Sequence, residues 1–417
     1  MSEIITLDNG FTILLDPVPH VERASMGIWC RAGSRYETPD ESGLSHFLEH
    51  MFFRGSQKFT NEQINEIPDS LGVDINAYTS KESVAYHCTG LKEAVPQMID
   101  VLTDMVFHPT FPPDLLEIER GAVLTEQGIY YNDPGDHVRT LGDEAVYGAD
   151  QSLGQPILGP KKNVQTFQRD DLIRFKEKLY TAPNMVFAIS GNFDRDAVIA
   201  QVSKAAAHLQ PGLKNAFAAA SVRGGEVIEG RPISQINIRL GCESSPDQTR
   251  EAMAETLYAS IMGSGMSSRL FREIREKRGL VYGIGAGAGA MSGVGNFVIA
   301  AALDADKIDE FMMALTQQIK GSRGTITEAE RQKALISFKN NYVSALEKIG
   351  SRARSLSTMF LSGQTPDLMK EYAELETITL DEINAASQRL FTKGLSLAAI
   401  GPQDKLPTLA EFTKDLS

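Results

Sequence analysis

His46-Phe47-Leu48-Glu49-His50 reads H-x-x-E-H. On a helix, positions i, i+3 and i+4 share one face, so His46 and His50 can address one metal ion with Glu49 beside them. Two neutral imidazoles suit Zn²⁺, and a carboxylate next to an activated water is what hydrolysis needs. A catalytic zinc takes three protein ligands and keeps one position open, so one more Glu, Asp or His must come from another element. His87, His108, His137, Glu119 and Glu126 are candidates. Residues 115–127 have helical periodicity, and Glu119 and Glu126, two turns apart, lie on one face. Periodicity does not choose between them.

The element that must carry the histidines is legible. Leu44, Phe47, Leu48 and Met51 recur at spacings of three and four, which predicts a helix with an apolar stripe beside its histidine face. Ser42 is the expected N-cap and Gly55 the expected stop.

At 417 residues, with 42% hydrophobic and 23% charged, the chain suits two or more soluble globular domains. No apolar run approaches a membrane span, and the first residues lack a signal or transit pattern. Cys30, Cys88 and Cys242 make no disulfide framework, so reduced thiols and a cytoplasmic location are expected. The net charge of -13 is uneven. Residues 1–215 hold 18 basic and 30 acidic side chains, and residues 216–417 hold 23 and 24. Such a surface argues against nucleic acid and would steer basic peptides toward the acidic half.

The chain reads as a diverged tandem repeat. Leu179-Tyr180-Thr181 and Leu390-Phe391-Thr392 each end a helix-like segment before a short apolar strand, at an offset of 211 (390 − 179). Leu91 and Leu303 open a second matched pair at 212 (303 − 91). The expectation is an α+β fold of two homologous α/β halves, each a sheet covered by helices: a catalytic 1–215, a linker 216–232 and a substrate-binding 233–417. All seven histidines lie at or before His208, so the second half cannot build a histidine metal site.

The chain resembles the inverted-motif zinc peptidases of the pitrilysin, insulin-degrading enzyme and mitochondrial processing peptidase family, above all their short bacterial processing-peptidase-like branch. The likeness runs from Leu7-Asp8-Asn9-Gly10 to Ala399-Ile400-Gly401. The family's zinc helix, G-L-x-H-x-x-E-H-x-x-F-x-G, matches Gly43 through Gly55. Its E-R-x-x-V-x-x-E segment, about 76 residues after the second histidine, matches Glu119 through Glu126 (126 − 50 = 76). The resemblance implies one zinc per chain on His46, His50 and Glu126, with Glu49 as general base and Glu119 assisting from outside the ligand set. It implies that Asn76-Ala77-Tyr78-Thr79-Ser80 is a substrate-pairing strand. It also implies that Arg275 and Tyr282, seven apart, contact the substrate and its scissile carbonyl, with Arg278 the near competitor. Gln151-Ser152-Leu153-Gly154 departs from the family's H-P-L-G at that point, away from the metal residues. A peptide substrate, a chamber formed on dimerisation, and a homodimer or a heterodimer with a related subunit are implied too. A catalytic subunit that needs an inactive partner, and a non-catalytic assembly subunit, are the alternatives.

Overall fold

A computed structural model describes residues 2–416. The first sheet contains β1 (Glu3–Thr6), β2 (Thr12–Pro17), β3 (Arg23–Cys30), β4 (Asp74–Thr79), β5 (Val84–Leu91) and β6 (Met185–Gly191). Their order is β1-β2-β6-β3-β5-β4, with only β2 and β6 parallel. The second contains β7 (Gly225–Gly230), β8 (Gln235–Ser244), β9 (Val281–Met291), β10 (Val294–Asp304) and β11 (Ser396–Gly401). Its order is β7-β11-β8-β10-β9, with only β7 and β11 parallel. Drop β1 and the two sheets have the same connectivity. The expected duplication is thus present in the topology: β2-β6-β3-β5-β4 corresponds to β7-β11-β8-β10-β9.

The helices in chain order are α1 (Leu44–Phe52), α2 (Asn61–Ser70), α3 (Val95–Phe107), α4 (Pro113–Asn132), α5 (Pro134–Tyr147), α6 (Lys161–Val164), α7 (Arg169–Leu179) and α8 (Arg195–Ala206). Then come α9 (Arg250–Gly263), α10 (Ile308–Ser322), α11 (Glu328–Leu346), α12 (Ile349–Leu361), α13 (Lys370–Glu376), α14 (Leu380–Arg389) and α15 (Leu409–Leu416). Among the described residues no helix is long and apolar enough to cross a membrane.

Two compact units follow, each discontinuous in sequence. One contains residues 1–127, 156–218 and 342–370, and the other 128–155, 219–341 and 371–417. The division expected at 216–232 runs along the chain, whereas packing exchanges one segment each way. Residues 210–224 hold no helix or strand, and β7 begins at Gly225. In the first unit, α12 sets Ala353, Leu356 and Leu361 against Leu14, Trp29, Val186 and Ala188 of the sheet. Arg352 also holds Asp16 through two hydrogen bonds, 2.6 and 2.7 Å. In the second unit, α5 sets Val138, Leu141 and Ala145 against Ala398 and Ile400. These are counterpart helices: the apolar stripe of each is cut to fit the sheet of the opposite repeat. Cys30, Cys88 and Cys242 are buried free thiols.

Candidate metal centre

α1 forms where its apolar stripe requires. Leu44, Phe47, Leu48 and Met51 are all buried in the first unit's core, which turns His46, Glu49 and His50 to the opposite side. The start of the helix differs from expectation. Ser42 is not the cap; Gly43 is, in a left-handed conformation (φ 97°) and with no side-chain cap of its own. Glu37, from upstream, does the capping: its carboxylate accepts from Gly43 N at 2.9 Å and Ser45 N at 2.7 Å. A negative charge at a helix N-terminus is favourable. Burial nevertheless pushes the Glu37 carboxyl up to about 7, against those backbone hydrogen bonds. Gly43 is also needed for close approach, because a Cβ there would lie 2.8 Å from Gly159 Cα.

α4 supplies the third donor. The ligand atoms of His46, His50 and Glu126 all lie within 4.8 Å of one another. Glu126 Oε2 is 3.5 Å from His46 Nε2 and 3.4 Å from His50 Nε2. These separations exceed good N–H···O lengths. They match the edge of about 3.3–3.6 Å expected of a tetrahedron with bonds of roughly 2.0–2.2 Å, the Zn–N and Zn–O range. Burial, with the charge of His50 adding to it, pulls the His46 imidazole down to about 4, which leaves its ring neutral with a lone pair to give. Burial also opposes protonation of His50, but hydrogen bonds to Glu119 and Glu126 outweigh it and lift that ring to about 9. The carboxylates therefore draw positive charge to this point. Two imidazoles and a carboxylate so spaced fit zinc.

Glu119, 1% exposed, sets the orientation of His50. Its Oε2 accepts from His50 Nδ1–H at 3.0 Å, which aims Nε2 at Glu126. Arg54 pairs with the other oxygen of Glu119. A carboxylate behind a ligating histidine fixes its tautomer and raises its basicity. Glu49 is half-buried and accepts from the Thr79 hydroxyl. Burial holds its carboxyl above the usual range, with the Thr79 hydrogen bond opposing. Gln127, next to Glu126, ties α4 to the turn that packs on Gly43: its Nε2 donates to Leu158 O at 2.8 Å and Gly159 O at 2.9 Å. One chain of contacts thus connects the candidate third ligand to the start of the histidine helix.

Asn76 and Ala77 lie on β4, the edge strand of the first sheet, whose outer hydrogen-bonding side has no strand partner among the described residues. Arg275 and Tyr282 belong to the second unit. Arg275 sits in a π-helical turn, Phe271–Glu276, with its guanidinium 4.7 Å from the Phe271 ring centroid. Tyr282 is the second residue of β9 and is 66% exposed. His87, His108 and His137 take no part in the cluster. His108 stacks on His208 at 4.3 Å, and His137 contacts Glu229 at 2.9 Å. Sequence reasoning missed Glu37, Arg54 and Gln127. Only Arg54, four residues after His50 on the same face, carried a readable signal.

Residues 12–161 match the family Insulinase (Peptidase family M16), and residues 166–338 match the Peptidase M16 inactive domain. An "uncharacterized zinc protease" of Rickettsia felis is 32% identical over 96% of this chain and 98% of its own. One of Bacillus subtilis, named YmxG, is 30% identical over 97% and 99%. Among solved structures, a protease from Helicobacter pylori superposes with a TM-score of 0.87 at 18% identity, covering 96% of this chain and 99% of that one. A peptidase M16 inactive domain from Pseudomonas fluorescens gives 0.86 at 20%, covering 96% and 98%. Those two likenesses establish the fold. With near full-length relatives at 30% identity or more and two family domains in tandem, the chain belongs to peptidase family M16, the insulinase family of zinc proteases.

Proposed function

We propose that this protein is an endopeptidase that hydrolyses short or unfolded peptides, with one zinc held by His46, His50 and Glu126. The observation that carries this reading is the convergence of those three ligand atoms within 4.8 Å. Bound there, zinc supplies a Lewis acid that acidifies water and polarises a carbonyl. Glu49 takes a proton from the attacking water and delivers it to the leaving amine. Glu119 positions His50. Asn76 and Ala77 offer the β4 edge to the substrate backbone, a β-augmentation mode of peptide binding. The Tyr282 hydroxyl donates to the developing oxyanion, and Arg275 holds a substrate carbonyl.

The excess of acidic side chains in residues 1–215, 30 against 18 basic, supports basic peptides such as leader or targeting segments as substrates. Free thiols suit the cytoplasm. The protein works as a homodimer or beside a related subunit. The test is cleavage of quenched basic and acidic peptides by the isolated chain, with and without chelator, alongside light scattering and metal analysis. Chelator-sensitive, salt-sensitive preference for the basic peptide is expected. Equal rates on both at low salt would remove the substrate assignment, and chelator-insensitive cleavage would remove the mechanism.

A further inference from the structure

The repeat has a second copy of the metal centre's position, and it is not empty of chemistry. At an offset of 211, Glu117, Glu119 and Arg120 of α4 correspond to Glu328, Glu330 and Arg331 of α11. The contacts follow the same register. Arg120 bonds Glu117 at 2.9 Å and the carbonyls of Val164 and Phe167. Arg331 bonds Glu328 at 2.8 Å and the carbonyls of Glu376 and Ile378, the last being 167 + 211. The same offset carries Glu49 to Ser260, His50 to Ile261 and Glu126 to Ser337.

Between those counterparts lies a cavity of about 240 Å³, lined by Ser260, Ser264, Gly265, Ser267, Lys333 and Ser337 among others. Its one carboxylate is already satisfied. Glu330 accepts from Arg269 at 2.7 and 2.8 Å and from Thr327 N and Oγ1, each at 2.9 Å. Ile261 and Ala334 add apolar wall, and the Ser268 hydroxyl already donates to Gly265 O at 2.8 Å. The polar groups that remain are the other hydroxyls, the Lys333 ammonium, which touches Ser267, and backbone N–H groups. The N–H groups of Gly265 and Ser267 have no hydrogen-bond partner among the described residues. Gly265 is left-handed (φ 80°), as in turns whose amides gather around an anion.

We propose that this pocket binds a carboxylate, namely the C-terminal end of a peptide. A site of donors and one cation complements a group that only accepts and carries negative charge. The volume is below the roughly 300–1,000 Å³ of sites for whole small molecules, so it admits a chain end rather than a peptide. Capture of a terminal carboxylate by backbone amides is an established recognition mode. Naming the guest a peptide end rests on the peptidase reading, since each cleavage makes a new carboxyl terminus; the pocket itself does not depend on it.

The test uses the full chain, stripped with chelator so that nothing is hydrolysed, and a fluorescent tripeptide with a free carboxylate or a C-terminal amide. The acid should bind at least about tenfold more tightly than the amide. Lys333→Met should remove that preference while leaving amide binding and the thermal midpoint unchanged, and Ser337→Asp should repel the acid. Equal binding of acid and amide, or an unaltered preference in Lys333→Met, would overturn the proposal. Displacement by inorganic phosphate at concentrations matching the peptide would overturn the assignment to a peptide end. Hydrolysis of the amidated peptide by the zinc-loaded wild type is read separately, so failure of the peptidase reading and failure of the pocket are told apart.

Discussion

The two repeats solve one packing problem and diverge in the chemistry laid over it. α4 and α11 are held alike: Arg120 and Arg331 each bridge a glutamate three residues back and two carbonyls from the segment that leads into the helix before the repeat's last strand, α7 or α14. On that common frame the first repeat carries His50 and Glu126, and the second carries Ile261 and Ser337 at the same offset. Glu119 and Glu330 sharpen the contrast. One turns a carboxylate oxygen to His50 at 3.0 Å and so orients a candidate metal ligand; the other is consumed by Arg269 and the start of α11. One scaffold can thus carry the same ion pairs with and without the candidate metal ligands, because the two depend on different faces of one helix.

The comparison breaks most visibly at Glu49, whose counterpart is Ser260. Glu49→Gln should lower peptide cleavage by about 10²–10⁴-fold with zinc content unchanged, since a positioned general base contributes that much. Normal turnover with zinc in place would sink the assignment. Next is Glu126→Ser, which installs the second repeat's residue. Its loss of zinc affinity should exceed the about 10–100-fold typical of an outer partner such as Glu119. Stoichiometric zinc after dialysis would show that Glu126 is no ligand.

The frame itself is tested by Arg120→Ala and Arg331→Ala. Arg120→Ala strands two buried carbonyls, at about 1–3 kcal/mol apiece, and should destabilise by about 2–6 kcal/mol in urea unfolding; Arg331→Ala frees one part-buried and one exposed carbonyl and should cost less, about 1–3 kcal/mol. Only the first should also weaken zinc binding, and matching zinc losses would contradict separate roles for the repeats. The narrowest effect concerns Glu37, which caps α1 in the first repeat alone. Burial lifts its folded carboxyl to about 7, above the 4.5 of an ordinary glutamate. The folded state therefore binds the extra proton between those values, and stability is full below about 4.5 and falls as pH rises through about 7. The loss is on the order of 3 kcal/mol. Glu37→Gln should flatten that slope in unfolding measured from pH 4.5 to 7.5. An unchanged slope would mean that Glu37 ionises normally.

Much of this was legible in the sequence, for reasons that also explain the rest. The apolar stripe of α1 fixed which way the histidines face, because a 3.6-residue period leaves no alternative. The offset of 211 foretold the matching sheets. Periodicity left Glu119 and Glu126 equal, and the family resemblance separated them; the geometry then gives each a distinct contact. The cap at Glu37 was invisible because it acts outside the three-residue spacing of a capping box. The exchange of α5 and α12 was invisible because an amphipathic pattern says that a helix has an apolar face, not which sheet will cover it.

That exchange has a consequence for how the enzyme is born. The last strand of the first sheet, β6, ends at Gly191, but the helix that covers Trp29 and Val186 ends at Leu361. On a ribosome adding about 5–20 residues per second, the 170 residues between them (361 − 191) take about 9–34 s. Throughout that interval the sheet beside the histidine helix lacks one apolar face of its core. The unit that carries the candidate metal centre is therefore completed late in synthesis, and a truncated nascent chain that already contains His46, His50 and Glu126 should remain an inert, chaperone-prone intermediate rather than a premature protease.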